Sequence, residues 1–217
     1  MRFANRMKKV IVSPRETFQN ILAEGFSMTE PVGIVLGMNF LKTFLAGLCI
    51  IRGIDEITEF FSERVHISPD VINWEIDLSG FTGVILVAFV GIALAFATYS
   101  LIPWILTAGI GHATAKYMFK GIGDFESLLC TYGYSQIASL ATVFGLLIFI
   151  LHPVAGFFAL IAMKIAESLW TLALRILSVS ETYGLDLGRS FICVIMPYLL
   201  PILLVILLSG VPFIFHT

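Results

Sequence analysis

From Leu78 to Ala115, from Ser127 to Met163 and again from Ser190 to Thr217, the chain carries no Asp, Glu, Lys or Arg. Each run exceeds the roughly 20 residues an α-helix needs to cross the hydrocarbon core of a bilayer. The rest of the composition agrees. Of 217 residues, 58% are hydrophobic and 13% charged, with a mean hydropathy of +0.96, whereas a soluble domain is typically about 45–50% apolar and about 25% charged. An ordinary soluble globule is excluded. The class expected is an all-α polytopic membrane protein, a bundle of five transmembrane helices preceded by a short amphipathic N-terminal helix.

Residues 1–30 read as a basic, amphipathic cytoplasmic segment and 31–217 as the membrane domain, with spans at about 31–51, 81–107, 132–151, 153–177 and 189–215. The start is basic but lacks the apolar core of a cleaved signal peptide, so it is expected to be retained. Ser13, Pro14 and Glu16 read as a cap, a first helical residue and an acidic first turn. Phe18, Ile21, Leu22 and Phe26 then recur at helical spacing. Such a stripe either lies in the headgroup plane or packs on the protein's own cytoplasmic loops. Residues 52–80 read as a polar, acidic loop, and residues 108–131 as a glycine-rich connector with short interfacial helices. Pro103 beside Trp104 suggests a kink or an exit near an interface. "HPVAG" at 152–156 reads as a tight turn between two spans, "SVSETYGLDLG" as a polar loop, and Pro197 and Pro201 as a bend in the last span.

Orientation follows from lysine and arginine in the short loops. With the N-terminus in the cytoplasm, Arg2, Arg6, Lys8, Lys9, Arg15, Lys116, Lys120, Arg175 and Arg189 lie inside, against only Arg52 and Arg64 outside. Five spans then place the C-terminus outside a cell membrane.

Three ionisable groups interrupt the apolar spans. Lys164 and Glu167, three places apart, fall near mid-membrane on the fourth span, and Lys42 falls at similar depth on the first. A charge at the helix centre costs about 2.5–3.5 kcal/mol on insertion scales, so exposure to lipid without a partner is disfavoured. Lys164 and Glu167 can touch on one helix face, and Glu167 can meet Lys42 if the two spans are neighbours. Three readings stand side by side: an internal ion pair that sets helix register, a pathway for a substrate, lipid headgroup or proton, and snorkelling to an interface.

Signals for chemistry are sparse. No HExxH, GxSxG or GxxxxGK[ST] motif occurs, His112 reads as an interfacial polar residue, and His66, His152 and His216 are too scattered for a shared metal. Cys49, Cys130 and Cys193 are odd in number and sit in apolar sequence, as small hydrophobes do. The expectation is a non-enzymatic protein without cofactor or metal. A formal net charge of −2 gives no reason to expect nucleic acid as a partner. The pairs Gly33/Gly37 and Gly80/Gly83 are places where helices can approach closely.

Three stretches together resemble the Yip1 domain family of five-span membrane proteins. They are "VSPRETFQNIL" near the N-terminus, "FKGIGDFESLLCTYGYSQIASL" with Gly133 and Tyr134 at the family's "GY", and "LWTLALRILSVSETYGLDLGRSFICVIMPYLL". Where eukaryotic members carry DLYGP before the first span, this chain has "TEPVGI" around Pro31. The resemblance implies a five-helix membrane domain with a cytoplasmic N-terminus. Eukaryotic relatives bind Rab GTPases in vesicle traffic. Without their long cytosolic N-terminal region, the chain looks more like a prokaryotic member. The function expected is a membrane scaffold or adaptor, with membrane or cytosolic proteins, or a second copy of itself, as partners besides the lipid bilayer. The alternative is a small transporter or lipid-handling protein that uses Lys42, Lys164 and Glu167.

Overall fold

The computed structural model describes residues 3–65 and 82–214, and every regular element among them is helical. Arg2, His66, Gly80, Phe81 and His216, with the acidic Asp70, Glu75 and Asp77 of the 52–80 stretch, lie outside the described residues.

The N-terminal segment forms two helices, α1 (Phe3–Val12) and α2 (Pro14–Glu24). Pro14 opens α2 as expected, since its fixed φ suits the first helical position and its missing N–H is not needed there. Ser13 does not cap with its side chain. Its carbonyl instead accepts from the Thr17 amide at 3.1 Å and the Thr17 hydroxyl at 2.8 Å. Phe18 and Ile21 are fully buried, so the apolar stripe of α2 packs on protein rather than lying in the headgroup plane. Arg15 Nε donates to Glu181 Oε1 at 2.6 Å and Gln19 Nε2 to Glu181 Oε2 at 2.7 Å, which ties α2 to the end of a later helix.

Helix α3 (Thr29–Val65) is longer than the expected span. Its apolar part, Thr29–Ile50, is long enough to cross a membrane, but the helix continues through the first part of what the sequence suggested was a polar loop. Between Gly53 and Pro69 there is no glycine or proline to stop it, and Glu and Arg are good helix formers. Helix α4 (Thr82–Tyr99) breaks at Ser100, just before α5 (Leu101–Ala113). The break answers to Pro103, which has no amide proton for the Tyr99 carbonyl. Trp104 is buried against the protein. A π-helical turn, Thr114–Met118, prolongs α5, so the expected connector shrinks to residues 119–124.

Helix α6 (Phe125–Ser135), a 3₁₀ turn (Gln136–Ser139) and α7 (Leu140–Leu151) make up the next candidate span. It turns at His152 into α8 (Pro153–Tyr183), as "HPVAG" suggested. The polar loop expected after Leu177 is mostly helix. The chain leaves α8 at Gly184, whose φ of +65° is the left-handed conformation common at helix ends. Helix α9 (Leu187–Ile214) then runs through Pro197 and Pro201 without a break. Among the described residues, four stretches are long and apolar enough to cross a membrane. The 28 residues of α9 span about 42 Å at about 1.5 Å each, also beyond the roughly 30 Å hydrocarbon core.

The helices group into two compact units. One comprises Met1–Val32, Ile102–Ser135 and Leu172–Thr217, the other Gly33–Leu101 and Gln136–Thr171. In the first, α1 packs on α2 and α6. In the second, α7 approaches α8 closely at Gly145, where a Cβ would stand 3.0 Å from the Leu160 backbone. Gly33 and Gly37 have no such role, since a Cβ at either would meet nothing within 4 Å. Cys49, Cys130 and Cys193 are all buried and free.

Replacing Phe18 by Ala should destabilise the protein by about 3–5 kcal/mol, the usual range for emptying a buried aromatic site. Thermal unfolding of the detergent-solubilised chain measures it, and faster proteolytic loss of residues 3–24 should accompany it.

Candidate functional site

The three intramembrane charges come together in the second unit. Glu167, from α8, is buried at 7% exposure. Lys42 Nζ, from α3, donates to its Oε1 at 3.5 Å, and Lys164 Nζ, one turn back on α8, donates to Oε2 at 3.1 Å. The structure adds a partner that the sequence did not announce: the Thr142 hydroxyl of α7 also donates to Oε2. A lone threonine in "SLATVFGLL" carries too little signal to be paired with a glutamate twenty-odd residues on. Both carboxylate oxygens are thus occupied, and three helices meet at one anion. The lysines differ, with 18% of the Lys42 side chain exposed against 60% of Lys164. Lys42 therefore depends on the carboxylate for its counter-charge, whereas Lys164 can extend its ammonium away along its stem. One layer further, Cys49 Sγ donates to the Leu146 carbonyl at 3.4 Å.

A second cluster lies in the first unit, around Gly133 and Tyr134. Gly133 faces Pro31 so closely that a Cβ would overlap the proline ring. The adjacent Tyr134 hydroxyl donates to Glu30 Oε2, which also accepts from Arg6 Nη1 at 2.8 Å. Arg6 Nη2 reaches Glu24 Oε2 at 3.1 Å. The "GY" of α6 therefore docks on the "EP" that opens α3, and Arg6 of α1 closes the arrangement over the end of α2. Glu30 suits its place, since the first turn of a helix favours an anion. A family model described as Yip1 domain matches residues 8–209. The chain belongs to the Yip1 domain family. No curated protein and no solved structure matches it. Within this Yip1 domain, Glu30 and Pro31 at the start of α3 are in contact with the Gly133–Tyr134 pair of α6.

The third cluster holds the loop 119–124. His112, which sequence reading left isolated, bonds through Nδ1 to the Tyr183 hydroxyl, and Tyr183 donates to the Asp124 carbonyl at 3.2 Å. Either partner can donate in the His112–Tyr183 bond, according to the imidazole tautomer. Phe125 meets the imidazole edge-on, with ring centroids 5.7 Å apart. Gly121 packs on the Tyr183 ring and Gly123 on the Thr182 backbone, so neither tolerates a Cβ. That close approach explains the glycines of "FKGIGDF" better than a free turn would. Tyr183 lies 71 residues further along the chain than His112, too far for sequence spacing to pair them.

Asp124 caps α6, its Oδ1 and Oδ2 accepting from the Ser127 amide and hydroxyl, each at 2.8 Å. Partial burial pushes its carboxyl upward, but the bonds from Ser127 outweigh that and hold it below the ordinary range. A depressed acid stabilises the fold above its unfolded pKa and loses that effect as pH falls through the folded one. Asp124→Ala should therefore cost about 1 kcal/mol near neutrality, and the difference from wild type should fade below about pH 4 in melting curves taken across pH.

Glu167→Gln should be more severe. With Lys42 left without its anion, the expected loss is about 3–5 kcal/mol, as for other broken buried ion pairs, and Thr142→Val should cost only about 1–2 kcal/mol. Thermal melts in detergent compare the two.

Proposed function

We propose that this Yip1-domain protein is a non-enzymatic membrane scaffold, oriented with its N-terminus in the cytoplasm of a prokaryotic cell and its C-terminus outside, that holds a protein partner at the loop 119–124. The observation that carries this reading is Ile122, 93% exposed on a loop that is itself held firmly. Gly121 and Gly123 seat the loop on α8, and Lys120 adopts the left-handed φ of 56°, a conformation a lysine keeps only where its surroundings demand it. Exposed Tyr117 and Met118 flank it, with Lys116 and Lys120 also at the surface. A rigid apolar tip with exposed Lys116 and Lys120 before it in the chain and exposed Asp124 and Glu126 after it suits a partner surface that is apolar at its centre and charged at its rim.

The experiment is site-specific photocrosslinking from position 122 in cells, followed by the same capture with Lys120→Glu. A defined protein adduct that falls at least about tenfold when Lys120 is reversed supports the scaffold. Adducts to lipid alone, or a protein pattern indifferent to Lys120→Glu, would remove it.

A second reading, a transporter or lipid-handling protein, draws on Lys164, whose side chain is mostly exposed although its neighbour Glu167 is buried. Against it stands the occupancy of both Glu167 oxygens. Reconstitution into liposomes separates the two: flux or lipid scrambling that Glu167→Gln abolishes in a folded protein favours transport.

A further inference from the structure

Arg175 entered the topology argument only as a cytoplasmic charge, yet it is buried at 8% exposure. Its Nη1 donates to the Tyr198 hydroxyl at 2.8 Å, and its guanidinium lies over the Tyr132 ring, 5.2 Å from the centroid. Among the described residues no carboxylate pairs with it, and its Nε is buried without a hydrogen-bond partner. Guanidinium is a permanent cation in proteins, and a buried cation without an anion is strongly disfavoured. The Tyr132 ring face and the Tyr198 oxygen relieve it only in part, since neither carries a full negative charge. The Tyr198 oxygen already accepts from Arg175, so its hydroxyl proton is free to be donated elsewhere, and the Tyr132 hydroxyl is buried with no partner. The cluster is rich in donors and poor in acceptors, which fits an oxyanion and no cation.

Depth selects the oxyanion. At about 1.5 Å per residue from Pro153, Arg175 lies about 33 Å along α8, at the far edge of a hydrocarbon core roughly 30 Å thick, where phosphate headgroups reside. Tyr198 is half-exposed and offers a way in from the outer surface of α9. Arginine's planar fork matches two phosphate oxygens at once. We infer that Arg175, with the Tyr198 hydroxyl, binds a phosphate oxyanion, and that an anionic phospholipid headgroup supplies it.

The full chain in a neutral detergent is titrated with phosphatidylglycerol or with phosphatidylcholine, and its melting temperature is followed. In parallel, sodium phosphate is compared with sodium chloride at equal ionic strength. Phosphatidylglycerol should raise the melting temperature saturably and phosphatidylcholine should not. Arg175→Gln should raise the half-saturating lipid concentration by at least about tenfold, as expected for the loss of one charged hydrogen bond, while Lys8→Gln should leave it unchanged. If inorganic phosphate reproduces the shift, the site stands with a soluble anion as its ligand. Should Arg175→Gln fail to fold, Arg175→Lys, which keeps the charge but not the fork, and Tyr198→Phe should each weaken the response. Equal effects of the two lipids, or variants that respond like wild type, would overturn the assignment.

Discussion

Hydrocarbon offers no hydrogen bonds, so every amide that enters it must bring its own partner, and a long uncharged run meets that demand by closing on itself as helix. The described structure follows from this constraint. Interruptions come where a cause can be named: Pro103 behind the break at Ser100, Gly184 in the left-handed conformation after α8, and the turn at His152. The same constraint raises the cost of any charge within the spans, and so makes the few that remain informative.

Glu167 illustrates how such a cost is met. Its carboxylate collects Lys42, Lys164 and the Thr142 hydroxyl, so α3, α7 and α8 are joined at one point. An ionic contact of this kind adds little net stability over a well-packed apolar one, but removing a single member is costly. The cluster around Glu30 works alike in the first unit, with Arg6, Glu24 and Tyr134 joining α1, α2, α3 and α6. Arg175 breaks this pattern, being buried with donors around it and, among the described residues, no anion.

Membership of the Yip1 domain family places the chain among membrane proteins of that kind, and the positions that carried the resemblance prove to be in contact. Gly133 is small because Pro31 stands against it, and Tyr134 reaches the glutamate beside that proline. The two short motifs are therefore one feature seen twice along the chain. A similar economy joins "FKGIGDF" to the end of α8, where both glycines meet Tyr183 and Thr182.

Helical class, membrane residence and the approximate places of the apolar helices were legible in the sequence, because they depend on composition over windows of a span's length and on local breakers such as Pro153 and Gly184. The three intramembrane charges were legible too, since each stands out against its neighbours, but that Lys42 reaches Glu167 depended on α3 and α8 lying side by side. Helix ends were less so: α3 and α8 run on past their apolar parts, because polar residues without a breaker remain good helix formers. Only the tertiary structure decided that Thr142 completes the Glu167 site, that Tyr183 partners His112, that α2 buries Phe18 in protein and that Arg175 is buried rather than solvated. Each of those depends on which distant helices lie side by side, and that is set by packing between surfaces that no window along the chain contains.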